Sequence, residues 1–237
     1  IALGAKPLAP EKSTSYSIGA VWQPGGGFNS TLDLYQIRIW DQILYSDQIS
    51  LAVPIGQVSA AQFFVNGATT RTRGVDWVSN YLLDLDRAGT LNLSFSANYN
   101  KIEILEISDP NFGRASQGLL TDATPRTKYV LSGDWSLAGW TLHGDATRYG
   151  AITRRGDEAD GSQDQGFAAR WLLNLSTSYA WHDLTFTVGA DNVTNQYPTR
   201  TALNNIYDDR PNGLQYSPPS PLGFNGRYWY GPVSYRF

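Results

Sequence analysis

Gly226-Arg227-Tyr228-Trp229-Tyr230-Gly231-Pro232-Val233-Ser234-Tyr235-Arg236-Phe237 closes the chain and decides how the rest is read. Counted back in twos, Phe237, Tyr235, Val233, Gly231 and Trp229 fall on one side. Arg236, Ser234, Pro232, Tyr230 and Tyr228 fall on the other. Successive side chains of a strand point to opposite faces, so this stretch reads as a strand with one apolar, aromatic-ended face. Two settings accept such a strand: the edge of a soluble β-sandwich, or the wall of a membrane barrel. A terminal aromatic ring has little reason to sit on a soluble surface, whereas the interfacial girdle of a barrel favours it.

Composition agrees with the barrel. The 237 residues are 41% hydrophobic and 13% aromatic but only 16% charged, with 23 glycines, which suits many strands with one face in lipid. No apolar run reaches the roughly 18 residues of a membrane-spanning helix. Cysteine is absent, which excludes a disulfide framework and thiolate metal sites. The net charge of −3 gives no basic footprint for nucleic acid. Ile1 opens the chain without a charged-then-apolar leader, and the expectation is a removed leader or a start within a longer chain.

Working upstream from the terminus, period-two strands are predicted at Leu184–Val193, Phe167–Trp181, Trp140–Tyr149, Thr127–Leu137, Gly89–Asn100, Thr70–Leu83, Phe28–Asp41 and Ser13–Trp22. Gly89–Asn100 alternates most cleanly, with Leu91, Leu93, Phe95, Ala97 and Tyr99 opposite Asn92, Ser94, Ser96, Asn98 and Asn100. In Phe28–Asp41 the alternation fails beyond Tyr35, where the strand is expected to rise above the apolar layer. Connections alternate between short and long. Gln23–Gly27, Asp84–Ala88, Ala138-Gly139 and His182-Asp183 are short; Gln42–Thr69, Glu103–Arg126, Gly150–Gly166 and Thr194–Asn225 are long. In an up-and-down meander this sorting puts every long loop at one end, as in outer-membrane barrels with short periplasmic turns and long outer loops.

Length supplies a second check. From Trp171 to Trp181 the strand is about 33 Å long at roughly 3.3 Å per residue. Tilted by about 40°, it covers about 25 Å of height, the expected apolar thickness. Leu173, Leu175, Thr177 and Tyr179 share the face between the two rings, which then fall at the two interfaces. The expected outward set includes Leu91, Leu93, Phe95, Trp171, Leu173, Leu175, Phe186 and Val188, with Asn92, Ser94, Asn98, Asn174 and Asp191 inward. Nine strands leave the first and last running the same way. Bacterial single-chain barrels are even-stranded and antiparallel, and open edges are not tolerated in hydrocarbon. The chain is therefore expected to be a piece of a larger barrel.

Four stretches resemble one known family. Leu8-Ala9-Pro10-Glu11-Lys12-Ser13 followed by Ile18-Gly19, then Arg71-Thr72-Arg73-Gly74-Val75-Asp76, then Gly189-Ala190-Asp191-Asn192-Val193-Thr194-Asn195-Gln196-Tyr197-Pro198, and the strand ending in Phe237 are similar, in order, to TonB-dependent outer-membrane receptors. The resemblance implies an all-β, antiparallel up-and-down transmembrane barrel of about 22 strands with a plugged lumen. Residues 1–237 would be its carboxy-terminal portion, about nine strands, with the plug and the earlier strands absent. It further implies a Gram-negative outer membrane, uptake of a scarce ligand such as a ferric siderophore, and energy relayed by TonB through the missing amino-terminal part. The barrel-assembly machinery would read the closing strand, here Trp229, Val233, Tyr235 and Phe237. A passive porin and a soluble sandwich binding module are the alternatives. Upstream sequence separates receptor from porin, and detergent dependence separates both from the sandwich.

Chemistry-bearing residues are few. His143, with Asp145 two residues on and Asp134 on the preceding strand, could orient an imidazole for acid–base work. No exposed-serine elbow accompanies it, so a polar wall residue and no enzyme are expected. His182 is expected to be solvated in its turn. Asp157, Glu158, Asp160 and Asp164 carry the oxygen ligands calcium prefers, but their spacing fits no defined motif, so no metal and no cofactor are expected. Ligand contacts are expected from the long loops, at Arg154, Arg155, Tyr207, Arg210 and Tyr216. Arginine recognises anionic groups with a fixed fork, and tyrosine offers a broad face at low entropic cost.

Overall fold

In chain order the computed structural model has β1 (Lys12–Gly25), β2 (Phe28–Tyr45), β3 (Ile49–Ile55), β4 (Val58–Ala61), β5 (Phe64–Asp84), β6 (Thr90–Ile107), α1 (Arg114–Thr121), β7 (Thr127–Leu137), β8 (Trp140–Tyr149), β9 (Ile152–Arg154), β10 (Gln165–Phe167), β11 (Arg170–Trp181), β12 (Leu184–Asp191), β13 (Tyr228–Tyr230) and β14 (Val233–Tyr235). It describes residues 5–47, 49–55, 58–202, 215–217 and 220–237. One antiparallel sheet runs β1-β2-β5-β6-β7-β8-β11-β12-β13, with β14 also on β12. β3 pairs with β4 and β9 with β10, as small hairpins between the long strands.

The sheet is an up-and-down meander because its short connections are built to reverse. Ala138 (φ 49°) and Gly139 (φ 86°) both adopt left-handed backbone, the two-residue turn whose twist matches the flanking strands. At the first hairpin a Cβ on Gly27 would stand 2.2 Å from the Leu82 carbonyl oxygen. That carbonyl belongs to the neighbouring β5, whose Leu82 N–H donates to Gly27 O at 3.0 Å, so only glycine fits.

Register places the two predicted phases on two faces. One rung reads Leu83, Leu91, Trp135, Leu142, Thr177 and Val188. The adjacent rung, on the opposite face, reads Asn92, Asp134, His143, Ser176, Gly189 and Tyr230. The expected outward set lies on the first face, and none of it is packed into a core. Trp171 is 54% and Val188 58% exposed. A sandwich would bury these residues under a second sheet; here the buried apolar side chains come largely from the long-loop end, among them Val65, Phe112, Ile152, Phe167 and Leu222. At the short-turn end, rings gather edge to face: Trp22–Phe28 (5.2 Å), Phe28–Tyr81 (6.0 Å) and Tyr235–Phe237 (5.1 Å).

Three expectations need correction. The segments Gln42–Thr69 and Glu103–Arg126 are not simple loops: β2 runs on to Tyr45, β5 begins at Phe64 and β6 ends at Ile107. Their upper parts do not keep the apolar phase of the strands below them, which hid them from a period-two search. Phe167 is not continuous with β11, because β10 turns away to pair with β9. The terminal strand is interrupted at Gly231-Pro232. Its register on β12 is unbroken, from Asp191↔Tyr228 to Leu184↔Tyr235. Pro232 accepts from the Thr187 N–H at 3.0 Å but has no N–H to return, so one ladder bond is lost and the face assignment survives.

Candidate ligand-binding cap

At the long-loop end the connections fold onto one another. Val65, Ala68 and Phe112 are buried together, with Leu44, Phe63, Ile104 and Leu120 against them. This small core joins the upper parts of β2, β5 and β6 to α1. The helix starts at Gly113, which has no side chain to cap it, and the cap comes from another loop: Ser116 N–H donates to Asp47 Oδ1 at 2.9 Å. A Cβ on Gly113 would meet Asp47 Oδ2 at 2.0 Å, so the missing side chain is what admits the carboxylate.

Two cations tie α1 to the β9–β10 connection. Arg114 donates through both terminal nitrogens to Asp164, each at 2.6 Å, and to the Gly156 carbonyl at 2.7 Å. A forked pair of this kind is the strongest geometry for a carboxylate. The Arg114 guanidinium, helped by the Gly156 N–H, lowers the Asp164 carboxyl to about 2. Arg155 reaches Asp122 at 2.6 Å while its stem lies over Gly118, and the Thr153 N–H donates to the Asp122 carbonyl at 2.9 Å. Asp157 is shifted up, first by burial and then by Asp47 and Glu158 nearby. The next connection is tied in by Gln165, whose amide donates to Arg200 O at 2.7 Å and accepts from Ala202 N–H at 2.8 Å.

Of the loop residues expected to meet ligand, three lie among the described residues of this cap. Arg154 lies in β9 with 3% exposure, inside the packing. Arg155 is partly exposed beside Asp122. Tyr216 stacks between Tyr197 (6.2 Å) and Phe224 (5.6 Å), its backbone bridged to Arg200. Tyr207 and Arg210 lie outside the described residues. Of the acidic loop, Asp164 is taken by Arg114, and the Asp160 carboxylate, lowered first by the Ser162 N–H, accepts that N–H at 2.9 Å. No cluster of three metal-ligating side chains occurs among the described residues. Asp47, Phe112, Arg114 and Gln165 were not singled out from sequence. For α1 a signal existed: Phe112, Ala115 and Gly118, three apart, are all buried.

Below the cap a polar row crosses the inward face. Asp134 Oδ1 lies 2.7 Å from His143 Nδ1, and His143 Nε2 lies 3.5 Å from Asp145. Asn174 Nδ2 donates to both Asp145 oxygens at 3.1 Å, and Asn174 Oδ1 accepts the Asn192 N–H at 2.8 Å. Ser176 is the cross-strand neighbour of His143, but the second imidazole nitrogen faces a carboxylate rather than that hydroxyl. This is a fixed polar lining. Of the closing-strand residues, Trp229, Val233 and Tyr235 stand exposed on the apolar face and Phe237 is fully exposed beside Tyr235.

A family described as "TonB dependent receptor-like, beta-barrel" matches residues 1–193. No curated protein sequence matches. Among solved structures, the copper transporter OprC is 16% identical with a TM-score of 0.67 over 98% of this chain and 32% of its own. The FrpB iron transporter from Neisseria meningitidis is 14% identical with a TM-score of 0.66 over 98% of this chain and 32% of its own. The ferric enterobactin receptor PfeA from Pseudomonas aeruginosa, solved as a mutant, is 18% identical with a TM-score of 0.62 over 94% and 31%. At these identities the likeness is one of fold. The present chain spans about a third of the length of each of these solved chains.

Proposed function

Because the chain belongs to the TonB-dependent receptor β-barrel family, we propose that it forms the carboxy-terminal wall and part of the outer cap of an outer-membrane receptor importing a scarce metal chelate, a ferric siderophore in the first instance. The observation that carries this reading is the division of labour in one sheet. The apolar face is exposed over the whole wall, the opposite face is a polar lining, and the long connections at one end are locked into a folded cap. A solvent-exposed apolar face of this extent needs a partner, and lipid suits a wall with aromatic rings at its margins. A lumen lined by amides, hydroxyls and an ordered carboxylate–imidazole row suits passage of a polar ligand. TonB would act through the part of the receptor outside this chain, and ligand would be met by the cap together with a plug. The named cargoes of FrpB and PfeA, iron and ferric enterobactin, fit that class.

The ligand-facing candidates are Arg155 and Tyr216 in the cap, with Arg154 supporting them from within, together with Tyr207 and Arg210 of the last long connection. In the full receptor, alanine at those four positions should weaken binding of a ferric siderophore by about tenfold or more, the scale of losing one anchor residue. Isothermal titration and iron-limited growth read this out. Unchanged affinity and growth would take these loops out of the binding site. The terminal strand serves assembly in this proposal. Replacing Tyr235 and Phe237 with serine should lower the heat-modifiable receptor in the outer membrane, and unchanged levels would remove it as a recognition element.

A further inference from the structure

The apolar face does not stay apolar to its upper end. Two successive rungs on that face read Tyr16, Gln36, Arg73, Lys101 and then Thr14, Arg38, Arg71, Glu103. The rung just below them reads Ile18, Leu34, Val75 and Tyr99. Four cations and one carboxylate thus sit on the outward phase, one step above the hydrocarbon-facing side chains. The carboxylate is shared by two of them: Arg71 Nη2 reaches Glu103 at 2.6 Å and Lys101 Nζ reaches it at 2.9 Å. Arg73 Nε donates to the neutral Gln36 amide at 2.8 Å, and the Arg38 guanidinium lies 4.8 Å from the centre of the Trp40 ring. Among the described residues neither Arg38 nor Arg73 has a carboxylate partner. They are diagonal neighbours across β2 and β5, a relation that spans about 7–8 Å. Their guanidinium groups can therefore converge on one anion. Beneath them an open groove of about 350 Å³ runs between Tyr16, Ile18, Leu34 and the Arg73 stem.

We propose that this patch holds one phosphate-bearing lipid of the outer leaflet, its phosphate on Arg38 and Arg73 and an acyl chain in the groove. The argument is complementarity of both halves. Forked cations bind phosphate bidentately, anionic headgroups gather at basic patches at the membrane surface, and the apolar groove continues directly below the charge. A soluble anion would use the cations and leave the groove empty. The proposal rests on the membrane reading above, since only then does this face meet lipid.

The test uses the full receptor in detergent, titrated with lipid A as the probe and read by native mass spectrometry. R38Q/R73Q should retain about tenfold less lipid A than the native receptor, the scale of losing charge-assisted hydrogen bonds. If the double variant does not migrate as a folded barrel, R73Q alone carries the test, with a loss of about threefold. Equal retention by the folded variants overturns the proposal. Displacement of lipid A by millimolar inorganic phosphate overturns it too, in favour of a soluble anion. The membrane reading is checked separately. A receptor with a single cysteine from Leu142→Cys, labelled and placed in nanodiscs, should be quenched by nitroxide lipid. Quenching with unchanged lipid A retention sinks the lipid site alone, whereas absence of quenching sinks the membrane reading beneath it.

Discussion

Across β8, β11 and β12 the wall repeats one operation: each residue pairs with one directly across, small hydroxyls link on the inner face, and large side chains stand out on the other. Around Phe112 that operation stops, and stability comes from a few contacts between residues far apart in sequence: Asp47 with Ser116, Arg114 with Asp164, Val65 with Phe112. The wall distributes its stability over many rungs of similar weight. The cap concentrates it in one small core and two or three charged ties. A single change should therefore be felt locally but severely in the cap, and in the wall only where it offends the surrounding solvent.

The largest effect is expected in the cap. Phe112 is 2% exposed at the centre of its core, and Phe112→Ala should cost about 3–5 kcal/mol of local stability. Hydrogen exchange should then accelerate across residues 103–126 while the amides of β7, β8 and β11 keep their protection. Loss of protection in the wall as well would show that cap and wall unfold as one unit. In the wall, Leu175→Arg places a charge on the apolar face midway between Trp171 and Trp181, at a cost of about 2–4 kcal/mol if that face meets lipid. Ser176→Arg, one residue on and facing the lumen, should stay within about 0.5 kcal/mol. Denaturant titration of the heat-modifiable form compares them, and equal costs would break the two-faced description.

The smallest effect concerns acid. Asp164 titrates near 2 in the fold against an ordinary 3.8, so its carboxylate favours the folded cap. That contribution is complete above about pH 4 and is lost as the pH falls towards 2. Proteolysis or exchange in the β9–β10 connection should rise over that interval, and D164N should be equally open at pH 6 and lose the dependence. An unchanged profile in D164N would assign the acid response to another group.

The wall was legible because its rules are local. Leu91, Leu93, Phe95 and their polar alternates declare the strand, and the Ala138-Gly139 and His182-Asp183 turns declare its reversal. The cap was not, for a physical reason: Asp47 caps a helix 69 residues away, and no window of sequence contains both partners. The upper part of β2 was legible as far as Asp41. Gln36 and Arg38 break the apolar alternation where the strand was expected to rise above the apolar layer, and both remain in β2, which runs on to Tyr45. Of the loop residues singled out by type, Arg155 is partly exposed beside Asp122 and Tyr216 lies against Tyr197 and Phe224, whereas Arg154 is interior, because residue type gives no indication of burial.

Under the proposed function, the extension of β5 beyond the apolar band would set where a ligand first feels the receptor. The ten residues from Phe64 to Arg73, at roughly 3.3 Å each and tilted by about 40°, carry the upper end of β5 about 25 Å above the last apolar rung. At physiological ionic strength charge is screened over about 8 Å. Under the same proposal, an anionic chelate approaching the cap would stand some three screening lengths above a negatively charged leaflet and would meet the receptor's own cations before the membrane's repulsion.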